Sequence, residues 1–386
     1  NGGKCNTEED FYKACRAASI LGTLQAGYTD FKFLSNTSKK IFDREALLGV
    51  SITGWMNNPN ILFDEKILQK GAKIVKDVNK EVAAVIGINP AARTTCVKPS
   101  GNASVLLQTA SGIHAEHSSM YIRNVQMNKE SEITQAIMKT NPYMVEESVW
   151  SAGGTDVVVS FPILPKKGSM YKDDLLGVKH LELVAKAQKY WVEVGTNEDL
   201  CADKGVRHNV SNTIIVDDWN AVENYVFENR HSFAGISFLG MTGDKDYNQA
   251  PNTAVITAKD MVKKYGDAAV FASGMVVDAL KCFNNLWDAC STAKGFGEDI
   301  SLETSENAIK RDWVRRFKKF ADNYLNKDTT LAEYCLKDAY LLHKWNKIQS
   351  TLQTVDWKED IKERKYTDVD TLAAAACAGG ACEIDF

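Results

Sequence analysis

A chain of 386 residues, 44% hydrophobic and 25% charged, is long enough for one large core or two smaller ones and has an ordinary globular composition. Its formal net charge of -4 gives no electrostatic reason to expect nucleic acid or an anionic membrane as a partner. No apolar run approaches the roughly 20 residues needed to cross a bilayer, and the N-terminus shows no basic-then-apolar leader. Taken in order, Thr7-Glu8-Glu9-Asp10 has the form of a capping box and predicts a helix through Ala14, Ala18, Leu21 and Leu24 to about Gly27. Leu47 to Gly54 (LLGVSITG) predicts a short buried strand. Asp64 caps a second helix, with Ile67, Ile74, Val78, Val82 and Val85 as its expected apolar face. Arg93 to Lys98 is a short β-branched stretch that stops at Pro99.

Pro99-Ser100-Gly101-Asn102-Ala103-Ser104 follows, and then the apolar run Val105-Leu106-Leu107. Small side chains leave backbone N–H groups open, and a loop of this kind running into a helix can seat a phosphate. Composition alone equally allows a plain strand-to-helix turn. Beyond it, helix is expected over Glu130 to Thr140, strand over Thr155 to Ile163 and a long helix over Leu175 to Val194. Strand is expected again at Asn212 to Val216, helix at Trp219 to Asn229 and strand at Ala234 to Leu239. This alternation predicts an α/β fold with largely parallel strands.

After Ala258 helical periods fill the chain: Ala258 to Lys264, Phe271 to Ala293, Glu306 to Leu325 and Leu331 to Leu352. Ile309, Trp313, Phe317, Phe320 and Tyr324 form one apolar face of the third. The expected divisions are an α/β portion over 1–257, a helical segment packed on it over 258–354, and a polar, mobile tail over 355–386.

Nine cysteines are present, and most sit singly inside helical or strand-like patterns, which suits buried thiols in a reducing, cytoplasmic setting. Cys377 and Cys382 differ, because Ala-Gly-Gly-Ala between them lets the sulfurs meet in a small, easily reduced ring. His114 and His117 could set two imidazoles near one another, but no third ligand lies nearby, and a structural or substrate-side role is expected rather than a metal. No Walker loop, GxGxxG after a strand, HExxH or nucleophile elbow occurs.

The stretch TTCVKPSGNASVLLQTASGIHAEHSSMYIRNVQ resembles the barrel domain of the ribonucleotide reductase catalytic subunit, closest to the adenosylcobalamin-dependent class. LGTLQAGYTDF, LLGVSITG, RHNVSNTIIV, FAGISFLG with DYNQAP, and the closing CAGGACEI are similar to the same family. The resemblance implies the C-terminal part of a ten-stranded α/β barrel, in which the loop Pro99 to Ser104 binds the phosphates of a ribonucleotide. It also implies that Cys377 and Cys382 re-reduce an active-site disulfide and are themselves reduced by thioredoxin or a similar dithiol protein. The family's thiyl radical, formed with adenosylcobalamin, abstracts the 3′ hydrogen of the ribose.

One departure is large. The Asn-Pro-Cys-x-Glu segment that carries the radical cysteine and general base is missing: Asn58-Pro59-Asn60, Asn89-Pro90-Ala91 and Asn141-Pro142-Tyr143 all lack the cysteine. Cys5 is not assigned to the family's oxidisable pair. The chain is therefore expected to be a partial or split reductase, inactive without the missing N-terminal part. The iron-dependent class is the alternative; the absence of a Tyr-Tyr pair (only Tyr190-Trp191 comes near) and the Cys-x4-Cys spacing favour cobalamin. A non-catalytic module that binds nucleotides or presents the redox tail is the reading from another class.

Overall fold

The computed structural model describes residues 1–241, 247–295 and 305–357. Its strands are β1 (Val50–Ser51), β2 (Thr95–Cys96), β3 (Tyr121–Asn128), β4 (Val145–Glu147), β5 (Asp156–Ile163), β6 (Thr213–Val216), β7 (Ser237–Gly240) and β8 (Asn252–Ala254). The chain divides into two compact units, 1–119 with 165–242, and 120–164 with 243–386. The division departs from the boundary expected at 257, since 120–164 groups with the C-terminal helices.

In the first unit β1 pairs with β2 and β6 with β7, both parallel, and a parallel bridge between Val97 and Val210 sets the two pairs side by side. Two-residue strands have too few ladder bonds to hold themselves, and buried side chains supply the rest. The Thr94 hydroxyl donates to the Gly195 carbonyl and the Thr95 hydroxyl to the Trp191 carbonyl, each at 2.7 Å. The Trp191 indole N–H donates to the Cys96 carbonyl at 3.0 Å. The helix expected unbroken over 175–194 is α-helical over Gly177–Ala187 and π-helical over Gln188–Glu193, where these contacts meet it. Gly195 completes the seam, because a Cβ there would stand 1.9 Å from the Thr95 hydroxyl oxygen.

The capping box forms as its sequence requires, with the Thr7 side chain accepting from the Asp10 N–H and Asp10 from the Thr7 N–H at the start of the helix Glu8–Ala26. This helix packs on Glu65–Ile86, whose buried stripe is Leu68, Ala72, Val75, Val78 and Asn79; of the predicted face Val78 is buried, Ile67, Ile74 and Val82 are half-buried and Val85 is exposed. Gly71 decides the rotation: a Cβ there would lie 2.5 Å from the Phe11 ring. The Ser19 hydroxyl reaches the Val75 carbonyl at 2.8 Å across the same contact. The helix Asn36–Glu45 was not expected, being almost wholly hydrophilic. Phe11, Trp55, Leu68, Trp191 and Ile214 lie in the unit's core.

The second unit holds the largest sheet, which is antiparallel in the order β4-β5-β3-β8 and so corrects the expectation of largely parallel strands. Pro162 lies within β5 instead of ending it, beyond the Val157 to Val159 stretch that β4 pairs, where a proline is tolerated. The helix expected over 271–293 breaks into Ala268–Cys282 and Leu286–Gly295, because the Asn285 side chain accepts the Asp288 N–H at 2.9 Å and starts a new helix. Ser305–Tyr324 and Thr329–Thr351 complete the helical set. Trp313, Phe317 and Phe320 are buried as predicted, whereas Ile309 and Tyr324 at the ends of that face stay exposed.

Candidate functional site

Past β2 the chain enters the loop Pro99-Ser100-Gly101. Gly101 has φ 49° and ψ −130°, a conformation closed to residues bearing a Cβ. A Cβ built there meets nothing within 4 Å, so the backbone and not crowding requires the glycine. The loop's base rests on Gly112, at φ 53°, whose Cβ would come 2.9 Å from the Lys98 carbonyl oxygen. The helix that follows, Asn102–Leu106, has only five residues. A dipole that short adds little, so an anion here would be held by individual amides and hydroxyls.

Two of the expected contact groups are engaged within the loop. The Ala103 N–H donates to the Ser100 carbonyl at 3.0 Å, and the buried Ser104 hydroxyl donates to the Gly101 carbonyl at 2.7 Å. Ser100 is tied from outside: its N–H donates to the Ser111 hydroxyl oxygen at 3.0 Å, and its hydroxyl lies 2.6 Å from that of Thr53. The Thr53 oxygen also accepts the Gly112 N–H at 3.1 Å and donates to the Ala110 carbonyl at 3.0 Å.

Below this cluster Asn57 is a buried hub. Its amide oxygen accepts the Thr109 hydroxyl and the Ala110 N–H, both at 2.7 Å, and its NH2 donates to Glu116 at 2.7 Å and to the Ser169 hydroxyl at 3.0 Å. Gly54 at φ 77° lets the chain pass, because a Cβ would stand 2.1 Å from the Thr109 hydroxyl oxygen. The sequence reading missed Thr53, Asn57, Thr109 and Ser111. Thr53 lies inside LLGVSITG, where it read only as strand, and no local pattern marks the other three.

His114 and His117 lie in irregular chain rather than on a helical turn. The His114 Nδ1 donates to the Ser111 carbonyl at 2.9 Å, the buried His180 Nε2 to the Ile113 carbonyl at 2.9 Å, and the His208 Nδ1 to the Thr95 carbonyl at 3.1 Å. Among the described residues no three His, Cys, Asp or Glu side chains group to hold a metal ion. Each of those imidazoles has one ring nitrogen committed to a backbone carbonyl. Burial pushes the thiol of Cys96 up to about 11 and that of Cys15 to about 12, so both are protonated and unreactive at neutral pH. Cys377 and Cys382 lie outside the described residues.

No family model matches the chain. A protein of Dictyostelium discoideum described as a probable adenosylcobalamin-dependent ribonucleoside-triphosphate reductase is 27% identical over 191 residues, 48% of this chain and 24% of that protein. The adenosylcobalamin-dependent ribonucleoside-triphosphate reductase of Euglena gracilis is 24% identical over 159 residues, 40% of this chain and 22% of that one. In these matches the chain spans about a quarter of the relatives' length. In fold it is similar to the crystal structure of a B12-dependent, class II ribonucleotide reductase, with a TM-score of 0.53 at 16% identity over 64% of this chain and 36% of that one. No helix among the described residues is long and apolar enough to cross a membrane. Over part of its length the chain is similar in sequence to proteins described as adenosylcobalamin-dependent ribonucleoside-triphosphate reductases, and in fold to a class II ribonucleotide reductase.

Proposed function

We propose that this chain is the C-terminal barrel portion of an adenosylcobalamin-dependent ribonucleotide reductase, which holds a ribonucleoside triphosphate by its phosphates at Pro99 to Ser104. The observation that carries this reading is the loop itself: a glycine-only backbone at Gly101, anchored at Ser100 by hydroxyls from two other segments. Such a loop holds its shape without needing a ligand to order it, which lowers the entropy cost of binding.

The reaction assigned to the whole enzyme replaces the ribose 2′ hydroxyl by hydrogen to give a deoxynucleotide for DNA synthesis. Adenosylcobalamin, when bound, supplies the radical that starts it, through contacts outside the described residues. The Cys377 and Cys382 dithiol passes two electrons and two protons to the disulfide formed at each turnover and becomes a disulfide itself, which thioredoxin or a similar dithiol protein reduces. A cytoplasmic location fits those free thiols.

Binding and turnover test separate parts of this reading. Calorimetry on the full chain should show a ribonucleoside triphosphate binding more tightly than its nucleoside, and Gly101→Ala should remove most of that difference. With adenosylcobalamin and dithiothreitol the chain alone should form no deoxynucleotide, and a polypeptide carrying the Asn-Pro-Cys-x-Glu segment should restore formation. Turnover by the chain alone would overturn the partial-enzyme reading. Phosphate binding that no such polypeptide converts to turnover would favour the non-catalytic module.

A further inference from the structure

The hydroxyl bonds around Ser100 admit two proton arrangements, and from them we infer that Thr53 is a positioning residue that switches the Ser100 hydroxyl from closed to donating when an anion arrives. This rests on the phosphate reading of the loop. In the first arrangement the single hydroxyl proton of Thr53 points at the Ala110 carbonyl, 3.0 Å away, which can only accept. The 2.6 Å contact between the Thr53 and Ser100 hydroxyls is then donated by Ser100. In this state Ser100 has no proton for a ligand.

A second arrangement uses the same atoms. The Ala110 carbonyl also accepts the Gly54 N–H at 2.9 Å, so it keeps a partner if Thr53 turns its proton away. Thr53 then donates to Ser100, and the Ser100 proton is free for a phosphate oxygen. Meanwhile the Thr53 oxygen still accepts the Gly112 N–H at 3.1 Å, and the Ser111 hydroxyl oxygen still accepts the Ser100 N–H at 3.0 Å. Every heavy atom stays in place and no buried carbonyl is orphaned, so two hydroxyl rotations suffice. Charge-assisted hydrogen bonds to phosphate are stronger than neutral ones and drive the exchange. Without an anion the first arrangement leaves the loop with fewer free donors, which favours phosphate over neutral ligands.

Calorimetry on the full chain with ATP, inorganic tripolyphosphate and adenosine tests this. Thr53→Val removes the relay and should weaken ATP and tripolyphosphate about tenfold while leaving adenosine unchanged; Thr53→Ser keeps the hydroxyl and should stay within about twofold of wild type. Ser100→Ala, at a half-buried loop position, reads the same proton should Thr53→Val fail to fold, and an equal loss is expected. ATP binding that Ser100→Ala weakens but Thr53→Val leaves intact overturns this inference alone, as does a Thr53→Ser protein as weak as Thr53→Val. No binding of ATP or tripolyphosphate to wild type overturns the phosphate reading and this inference with it.

Discussion

The two units bury polar groups to different ends. In the first unit many buried polar side chains are neutral amides and hydroxyls, among them Ser19, Asn57, Asn79, Thr94 and Thr95, bonded mostly to backbone of distant segments, beside the two buried carboxylates Glu45 and Glu116. The second unit also buries neutral groups such as Thr134, Asn141 and Ser160, but it gathers buried charges on one helix: Asp338, wholly buried, accepts the Tyr265 hydroxyl at 2.6 Å, and Glu333 pairs with Lys294 and with Lys337. Neutral groups place irregular chain at low desolvation cost, whereas buried ions are costly to bury and costlier to leave unpaired. A region that must hold a loop in one shape needs the first kind; helices already satisfied in their backbone can carry the second.

Breaking the amide hub tests the difference most severely. Asn57→Leu removes four hydrogen bonds and takes one partner from the buried Glu116, and should lower unfolding free energy by ~3 kcal/mol in urea titration. A loss below ~1 kcal/mol would mean that the hub does not fix the segment around Thr109.

Acid should weaken both units for opposite reasons. Burial lowers the pKa of His180 to about 4 from an ordinary 6.5, so the folded chain holds it neutral where the unfolded chain binds a proton. Its contribution is complete above pH 6.5 and is lost as pH falls toward 4, by ~3 kcal/mol at most. Burial alone would raise the pKa of Glu333, but hydrogen bonds from Lys294 and Lys337 outweigh it and hold the carboxyl below 4.5, so its contribution is lost at lower pH still. Urea titrations from pH 7 to 4 should show the upper limb flattened by His180→Gln and unchanged by Glu333→Gln. The reverse pattern would place the acid-sensitive group in the helical unit.

A smaller effect is expected at the charged cluster. Tyr265→Phe removes one short bond to Asp338 while Lys264, 3.3 Å away, remains, and should cost ~2 kcal/mol in the same titration. A neutral outcome would show that the carboxylate's other partners, Lys264 among them, satisfy it.

Local chemistry made some of this legible in the sequence. The Thr7 capping box, the Asp64 cap and the helices after Ala258 announce themselves, because caps and helical periods are short-range signals. The loop was legible through Gly101, whose dihedrals only glycine adopts, but its anchors were not: Thr53 and Ser100 are 47 residues apart, and Asn57 and Glu116 are 59 apart. Strand β3 was missed because YIRNVQMN does not alternate, and its burial follows its partners rather than its own pattern. The stripe on Glu65–Ile86 was misplaced because Gly71 and Asn79, neither of them apolar, mark the face that meets the neighbouring helix.

The interleaving of the units has a consequence for how the chain is made. Residues 120–164 are synthesised before the first unit is complete, yet they belong to the second, whose β8 and C-terminal helices arrive only after residue 250. Pairing β2 to the stretch at Val210 closes a loop of more than a hundred residues, so neither unit can finish folding while its own N-terminal half is leaving the ribosome. Until then the apolar residues of β5, Val157 to Val159, lack the helix that brings Ile348 against them. That interval sets the order of assembly: the parallel strands around the loop can close only once residue 240 has emerged, and the sheet behind Ile348 closes last.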